Sequence, residues 1–277
     1  MTIIDGKIVS EKIRQDIKKE IEKLGIQPGL AVVIVGEDPA SKVYVANKIK
    51  GCQQVGIKSF SYALSESTSE EELLELIDSL NNNREVHGIL VQLPLPNHLD
   101  QAKILERIEV KKDVDGFSAY QMGKLALGQP ELTACTPSGV MQLLKEYGIE
   151  ISGKNAVIIG RSNIVGKPMF FMLMQENSTV TVCHSRTKNI KEICQNADIL
   201  VAALGRANFV TADMVKQGAV VIDVGINRVD GKLCGDVDFQ AVKDKCSFIT
   251  PVPGGVGPMT ITMLLYNTLK AYKLYGK

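Results

Sequence analysis

NAVIIGRSNIVGKPMFFMLMQE, residues 155–176, contains an apolar run of strand length, a turn that carries Gly160 and Gly166, and an apolar segment of helical length. A glycine-bearing turn between a strand and a helix lets backbone N–H groups approach a phosphate at the helix N-terminus. Ser162 replaces the second glycine of the usual dinucleotide fingerprint, and one extra residue precedes the last glycine. The stretch predicts a Rossmann-like strand–turn–helix unit, although a tight turn without a ligand would give a similar pattern.

Further apolar runs of strand length lie on both sides of this unit. Those that follow it cover residues 179–184, 197–205, 219–225 and 247–252. Those before it, at 30–36, 57–64 and 88–96, alternate with helical segments at 10–24, 47–56 and 69–82. Strands that alternate with helices form parallel sheets covered by helices. The sequence therefore predicts an α/β protein of two domains, each with a parallel sheet flanked by helices, the second a Rossmann-like NAD(P)-binding domain.

A Gly-, Thr- and Pro-containing stretch covers residues 116–139, and the domain boundary is expected near residues 118–140. We assign residues 1–120 to the first domain and 121–257 to the second. The segment 258–277 has helical spacing and no strand after it, so it is expected to pack back on the first domain. A length of 277 residues suits two domains of ordinary size.

Composition indicates a cytoplasmic protein whose partners are small molecules. Hydrophobic residues make up 45% of the chain, charged residues 23%, and the net charge is +1, so no bulk field favours nucleic acid or a membrane surface. The N-terminus reaches Asp5 and Lys7 before any apolar run, unlike a signal peptide. The six cysteines show neither a C-x-x-C pair nor metal-ligand spacing, which favours reduced thiols and no metal site.

The residues that follow the second strand of the second domain favour NADP over NAD as the cofactor. An acidic residue at this position binds the adenosine ribose of NAD, whereas basic or hydroxyl groups accommodate a 2′-phosphate. Residues 183–188 read CHSRTK and contain no acid, and Arg161 opens the glycine turn. Arg186 is either a phosphate ligand or a solvated loop charge. His184 is interpreted as a hydrogen-bonding residue at the strand end.

Polar side chains of the first domain suggest a second site. If a helix begins near Ser41, then Ser41, Tyr44 and Lys48 share one face, although a surface helix with a solvated lysine is the alternative. Gln92 stands within an apolar run and needs polar partners. Asp115 either accepts two hydrogen bonds from a ring N–C–NH2 edge or holds the turn before Gly116.

Six motifs in one order carry a family resemblance over nearly the whole chain. They are SKVYVANKIK (41–50), GILVQLPLP (88–96), KDVDGF (112–117), CTPSG (135–139), GRSNIVGKP (160–168) and PVPGGVGPMT (251–260). In this respect the chain resembles the bifunctional methylenetetrahydrofolate dehydrogenase/cyclohydrolases. It departs from the usual family pattern at Ala134, where proline is usual, and this affects only the rigidity of that loop.

The resemblance implies two reactions on tetrahydrofolate derivatives. NADP-dependent oxidation of 5,10-methylenetetrahydrofolate gives the methenyl cation, and hydrolysis of this cation gives 10-formyltetrahydrofolate. By resemblance, Lys48 activates water and moves protons, Gln92 orients Lys48, Tyr44 packs on the folate rings and Asp115 holds the pterin edge. The further substrate-binding residues that it implies are Ser41, Leu93, Pro94, Pro253, Gly254 and Gly255. The implied cofactor-binding residues are Gly160, Arg161, Ser162, Ser185 and Ile226.

The resemblance also implies a homodimer that acts in one-carbon metabolism for purine biosynthesis. Three other interpretations remain open at this point. A monofunctional dehydrogenase would be favoured if the lysine were missing, but Lys48 is present. A non-catalytic dinucleotide-binding module would leave the polar set of the first domain without a role. An unrelated NADP oxidoreductase of two domains would not accept a folate.

Overall fold

A computed structural model describes residues 1–276 of the chain, without the side chain of Ala40. Its α-helices are α1 (Gly6–Leu24), α2 (Pro39–Val55), α3 (Glu70–Asn82), α4 (Gln101–Arg107), α5 (Ala119–Ala126), α6 (Cys135–Glu146), α7 (Gly166–Gln175), α8 (Ile190–Cys194), α9 (Phe239–Val242) and α10 (Val256–Tyr275). Its β-strands are β1 (Thr2–Ile3), β2 (Gly29–Val35), β3 (Lys58–Leu64), β4 (Gly88–Val91), β5 (Asn155–Ile159), β6 (Thr179–Cys183), β7 (Ile199–Ala202), β8 (Ala219–Asp223), β9 (Asn227–Val229), β10 (Lys232–Cys234) and β11 (Cys246–Ile249).

The chain forms two compact units, each made from two segments. The first unit comprises residues 12–135 and 261–276, and the second comprises residues 1–11 and 136–260. These bounds differ from the predicted domains at the N-terminus, because Ile4 and Gly6 donate backbone hydrogen bonds to the carbonyls of Ile249 and Gly254. They also differ in the middle, since α5 and α6 occupy the stretch that was expected to connect the domains.

The first unit contains a three-stranded parallel sheet in the order β3-β2-β4. Every residue of the central strand β2 is buried, as its continuous apolar sequence predicts for a strand covered on both faces. Helix α10 contributes apolar residues to the same core, among them Leu264, Leu265 and Leu269. The predicted strands and helices of this unit are all present, but β4 ends at Val91, so Gln92 follows the strand instead of lying within it.

The second unit contains a six-stranded parallel sheet in the order β1-β11-β8-β7-β5-β6. The order reverses at β5, since β6 lies on one side of it and β7 on the other. Five predicted runs supply its longer strands, and the fold class is confirmed. Two features were not predicted from the sequence: the short strand β1 and the antiparallel β9–β10 hairpin.

In the described part of the chain, residues 1–276, no helix is long and apolar enough to cross a membrane.

Candidate functional site

Helix α2 of the first unit begins with a side-chain cap and directs three of the predicted site residues inward or to a half-buried position. Asp38 accepts a hydrogen bond from the backbone N–H of Ser41 at 2.7 Å, and Pro39 opens the helix. Ser41 and Lys48 are buried and Tyr44 is half-buried, whereas Lys50 on the same helix is exposed. The predicted common face exists, and the alternative of a solvated lysine is wrong, since Lys48 is only 8% exposed.

Lys48 forms a hydrogen bond with a residue that is 44 positions further along the chain. Its ammonium Nζ donates to Oε1 of Gln92 at 2.9 Å. The amide nitrogen of Gln92 donates to the carbonyl of Leu93 at 2.7 Å, which fixes the oxygen toward the lysine. The partners that a buried amide requires are therefore Lys48 and the Leu93 carbonyl. Leu93 itself is half-buried, and Pro94 is exposed.

The loop at 113–118 carries two aspartates, Asp113 and Asp115, whose surroundings differ. Asp113 is buried and accepts hydrogen bonds from the backbone N–H groups of Gly116, Phe117 and Ser118 at 3.0, 3.3 and 2.8 Å. It therefore performs the turn-holding role that was the alternative for Asp115. Asp115 is intermediate in exposure, and these three backbone hydrogen bonds go to Asp113 instead.

Burial raises the pKa of Asp115 to about 6, and the negative charge of Asp113 acts in the same direction. The positive charge of Lys48 lowers it and so partly offsets the burial. Burial also raises the pKa of Tyr44. The first unit thus brings together a buried amine, a carboxylate that titrates near neutral pH, and a half-buried phenol ring.

Sequence reasoning missed two residues that support this loop. Asn267 of α10 donates from its side-chain nitrogen to the carbonyls of Val114 and Thr133, both at 2.8 Å. The thiol of Cys135 donates to the carbonyl of Val114 at 3.3 Å, and its sulfur accepts from the side-chain nitrogen of Asn267 at 3.7 Å. The signal for Asn267 was an amide within an apolar helix, which must find partners when buried.

The glycine turn of the second unit follows β5, and no side chain fits at its two glycines. A Cβ on Gly160 would lie 2.1 Å from the carbonyl oxygen of Ala203, and one on Gly166 would lie 2.2 Å from the carbonyl oxygen of Gly160. The hydroxyl of Ser162 accepts hydrogen bonds from the N–H groups of Val165 and Gly166 at 3.1 and 3.4 Å. The turn therefore packs tightly against its neighbours, with the exposed Arg161 and Ser162 at the N-terminus of α7.

The loop after β6 is held by its own polar groups. His184 accepts a hydrogen bond from the N–H of Arg186 at its Nδ1, and its own N–H donates to the hydroxyl of Thr187. This is the strand-end role predicted for His184. Ser185 and Arg186 are exposed.

The remaining predicted residues are also in the second unit. Ile226 is 47% exposed. In the loop at 251–255, Pro253 is exposed, Gly254 is half-buried and Gly255 is buried, and the N–H of Gly255 donates to the carbonyl of Pro251. Within residues 1–276, no three His, Cys, Asp or Glu side chains are arranged to bind a metal ion.

Models of two protein domains match most of the chain. The catalytic domain of tetrahydrofolate dehydrogenase/cyclohydrolase matches residues 4–115, and the NAD(P)-binding domain of the same proteins matches residues 134–275. The chain belongs to the tetrahydrofolate dehydrogenase/cyclohydrolase family. The resemblance found in the sequence is thereby confirmed, together with the bifunctional enzyme class and the dinucleotide cofactor.

Individual family members are similar to the chain over its full length. The bifunctional protein FolD of Campylobacter concisus is 60% identical over 275 residues, which are 98% of this chain and 97% of that protein. The crystal structure of the bifunctional enzyme FolD from Campylobacter jejuni has a TM-score of 0.96 at 52% identity and covers 99% of each chain. The methylenetetrahydrofolate dehydrogenase-cyclohydrolase (FolD) of Trypanosoma brucei, complexed with NADP and an inhibitor, has a TM-score of 0.95 at 39% identity, with 99% and 98% of the chains covered.

Proposed function

We propose that this enzyme oxidises 5,10-methylenetetrahydrofolate with NADP and then hydrolyses the methenyl product to 10-formyltetrahydrofolate. The observation that carries the proposal is the hydrogen bond from the buried Lys48 to the half-buried Gln92 near Asp115, in a chain that belongs to this family. A dehydrogenase alone needs no proton-transferring amine, because the folate nitrogen lone pairs assist hydride loss. The buried lysine is the group that hydrolysis requires.

Lys48 is the residue that activates water and moves protons during hydrolysis. Lys48 belongs to helix α2, and its Nζ is oriented by a hydrogen bond of 2.9 Å to Oε1 of Gln92. The acceptor is a neutral amide, so the amine is oriented without being consumed in an ion pair. General acid–base catalysis of this kind contributes about 10²- to 10⁴-fold to a rate.

The other residues of the first unit bind the folate. The ionised carboxylate of Asp115 accepts two hydrogen bonds from the N–C–NH2 edge of the pterin, and the ring of Tyr44 packs on the folate rings. We assign Ser41, Leu93 and Pro94 to the same folate site. From the second unit we assign Pro253, Gly254 and Gly255 to substrate binding.

Because Gly160 and Gly166 lack side chains, the glycine turn packs directly against the backbone of Ala203 and of Gly160 itself. The N-terminus of α7, which follows this turn, is the proposed site for the pyrophosphate. NADP, when bound, supplies the acceptor for the hydride. Arg161, Ser162 and Ser185 are exposed at this edge and are the groups proposed to bind phosphate, and no acid follows β6, which supports NADP over NAD. Ile226 contributes an apolar contact.

We further propose that the enzyme is a cytoplasmic homodimer that serves one-carbon metabolism and purine biosynthesis. Five of the six cysteines are buried and all six are free thiols, which supports a reducing compartment. The dimer rests on the family resemblance, and analytical ultracentrifugation tests it.

A single time course tests the proposed reactions. The purified protein is mixed with methylenetetrahydrofolate and NADP, and NADPH, methenyl and formyl products are followed together. NADPH with formyl product above the spontaneous rate is expected. Accumulation of the methenyl product alone would indicate a monofunctional dehydrogenase and would contradict the role assigned to Lys48. If neither NADP nor NAD is reduced, the result would indicate a non-catalytic dinucleotide-binding module.

A further inference from the structure

The strand order of the second unit indicates where the two halves of a bound dinucleotide would lie along the edge of the sheet. A dinucleotide crosses the carboxyl edge where the order reverses, which is at β5. The adenosine ribose lies beside the end of the next strand, β6. The nicotinamide half of a bound dinucleotide would therefore extend toward the ends of β7 and β8. The segments that follow these two strands are residues 203–206 and 224–227.

One buried carboxylate holds both of these segments. Asp236 is fully buried, and its Oδ2 accepts hydrogen bonds from the N–H groups of Leu204 and Gly205 at 2.7 and 3.0 Å. Its Oδ1 accepts from the N–H of Arg206 at 2.8 Å and from the side-chain nitrogen of Asn227 at 2.9 Å. Three consecutive amides after β7 and one side chain after β8 thus converge on Asp236.

A second buried carboxylate, at the end of β8, holds Asp236 in place. Asp223 Oδ1 accepts from the N–H groups of Asp236 and Gly225 at 2.9 and 3.0 Å, and its Oδ2 accepts from the N–H of Val237 at 2.9 Å. The packing leaves no space for side chains between the two acids. A Cβ on Gly225 would lie 2.3 Å from the carboxyl carbon of Asp236, and one on Gly235 would lie 1.8 Å from Asp223 Oδ2.

Among residues 1–276, the donors to the Asp223–Asp236 pair are amide N–H groups, and no cation is paired with either acid. Burying two carboxylates without a cation is costly, and apolar side chains would suffice to cover a loop. What the pair achieves is to hold the residues on both sides of Ile226. Gly225 is bonded to Asp223 and Asn227 to Asp236, while the side chain of Ile226 remains 47% exposed.

We infer that Asp236, supported by Asp223, is a positioning residue for the nicotinamide half of the dinucleotide. It acts through the backbone of residues 204–206 and through the segment that presents Ile226. The inference rests on the proposed binding of NADP, and it adds the residues that shape the part of the site remote from the glycine turn.

The test compares NADP with a fragment that lacks the nicotinamide half. In the full chain, Asp236→Asn replaces one accepting oxygen with an NH2 group, which faces N–H donors and cannot accept from them. We expect the dissociation constant of NADP to rise about tenfold and kcat of the dehydrogenase to fall by a similar factor. Binding of adenosine 2′,5′-bisphosphate, measured by titration calorimetry, is expected to stay within about twofold, because its site lies beside β5 and β6.

Two further variants make the result decisive. Asp198→Asn is the matched control, since Asp198 accepts from Lys216 and from the N–H of Asn155 at the amino end of the same sheet. It should leave NADP binding unchanged. Asn227→Ala removes only one donor to Asp236 and replaces the aspartate variant if that variant fails to fold. For this variant we expect a smaller loss of NADP affinity than for Asp236→Asn, again with no change in the affinity for the bisphosphate fragment.

The outcomes separate the two proposals. Equal weakening of NADP and of the bisphosphate fragment, or no change in either, would overturn the positioning role of Asp236 while leaving the proposed function intact. Failure of the unmodified enzyme to bind NADP would overturn the proposed function itself. The rate of methenyltetrahydrofolate hydrolysis, measured without a dinucleotide, shows whether the first unit of each variant is intact.

Discussion

Replacement of Lys48 by methionine tests the hydrolytic mechanism with little disturbance of packing. Methionine keeps the length of the apolar stem and removes the ammonium group that donates to Gln92 at 2.9 Å. If Lys48 moves the protons, the rate of hydrolysis should fall about 10²- to 10⁴-fold, which corresponds to about 2.7 to 5.4 kcal/mol of transition-state free energy. The dehydrogenase reaction has no such requirement.

The same substitution should change stability much less than it changes the rate. Loss of the ammonium leaves the oxygen of Gln92 without its donor, which costs about 1 to 3 kcal/mol if that oxygen stays dry. Removal of a charge that is only 8% exposed relieves a desolvation cost of opposite sign. The two effects largely offset each other, so we expect the midpoint of thermal unfolding to move by no more than a few degrees.

The assay follows methenyltetrahydrofolate absorbance against the spontaneous rate, with NADPH formation measured on the same preparation. Lys50→Met is the matched control, because Lys50 is exposed on the same helix two residues further on. It should behave as the unmodified enzyme. Hydrolysis by folded Lys48→Met within about twofold of the unmodified rate would refute the mechanism, since general acid–base catalysis is worth far more.

Three further predictions concern the folate loop and the glycine turn. Because the pKa of Asp115 is raised to about 6, its carboxylate is ionised above that pH and loses its acceptor capacity as the pH falls through it. The KM for methylenetetrahydrofolate should therefore be constant above pH 6 and rise about tenfold per pH unit below it, whereas Asp115→Asn should show a weaker affinity without this dependence. Gly160→Ala should abolish NADP binding and spare hydrolysis, since its Cβ would lie 2.1 Å from the oxygen of Ala203; calorimetry that detects normal NADP affinity would contradict this. Asn267→Ala should lower the free energy of unfolding by about 1 to 3 kcal/mol and raise the folate KM, because the carbonyl of Val114 loses its amide donor and keeps only the weaker thiol donor of Cys135; denaturant titration and steady-state kinetics measure both effects, and an unchanged KM would show that Asn267 does not support the folate site.

The longer strands and the inward face of α2 could be read from local sequence. The apolar run of β2 is continuous because the strand is buried on both faces, and the four-residue spacing of Tyr44 and Lys48 follows from the helical period. The short strand β1 could not be found this way, because two residues have no periodicity and pair only with the distant strand β11. The same limit applies to the N-terminal residues that join the second unit.

Some properties of the functional residues could likewise be predicted from local sequence, and others could not. Residue types and motif order alone were enough for the family, the two reactions and the candidate acid, amide and amine. Which of two neighbouring aspartates holds the turn depended on the fold, which assigns that role to Asp113 and leaves Asp115 partly exposed.

The pairing of Lys48 with Gln92 and the convergence of four N–H donors on Asp236 likewise depended on the tertiary structure. Apart from the bond between Asn227 and Asp236, these contacts join residues that are 30 to 44 positions apart. Hydrophobic periodicity records the local conformation of a segment, whereas a hydrogen bond or a shifted pKa depends on which distant segments the fold brings together.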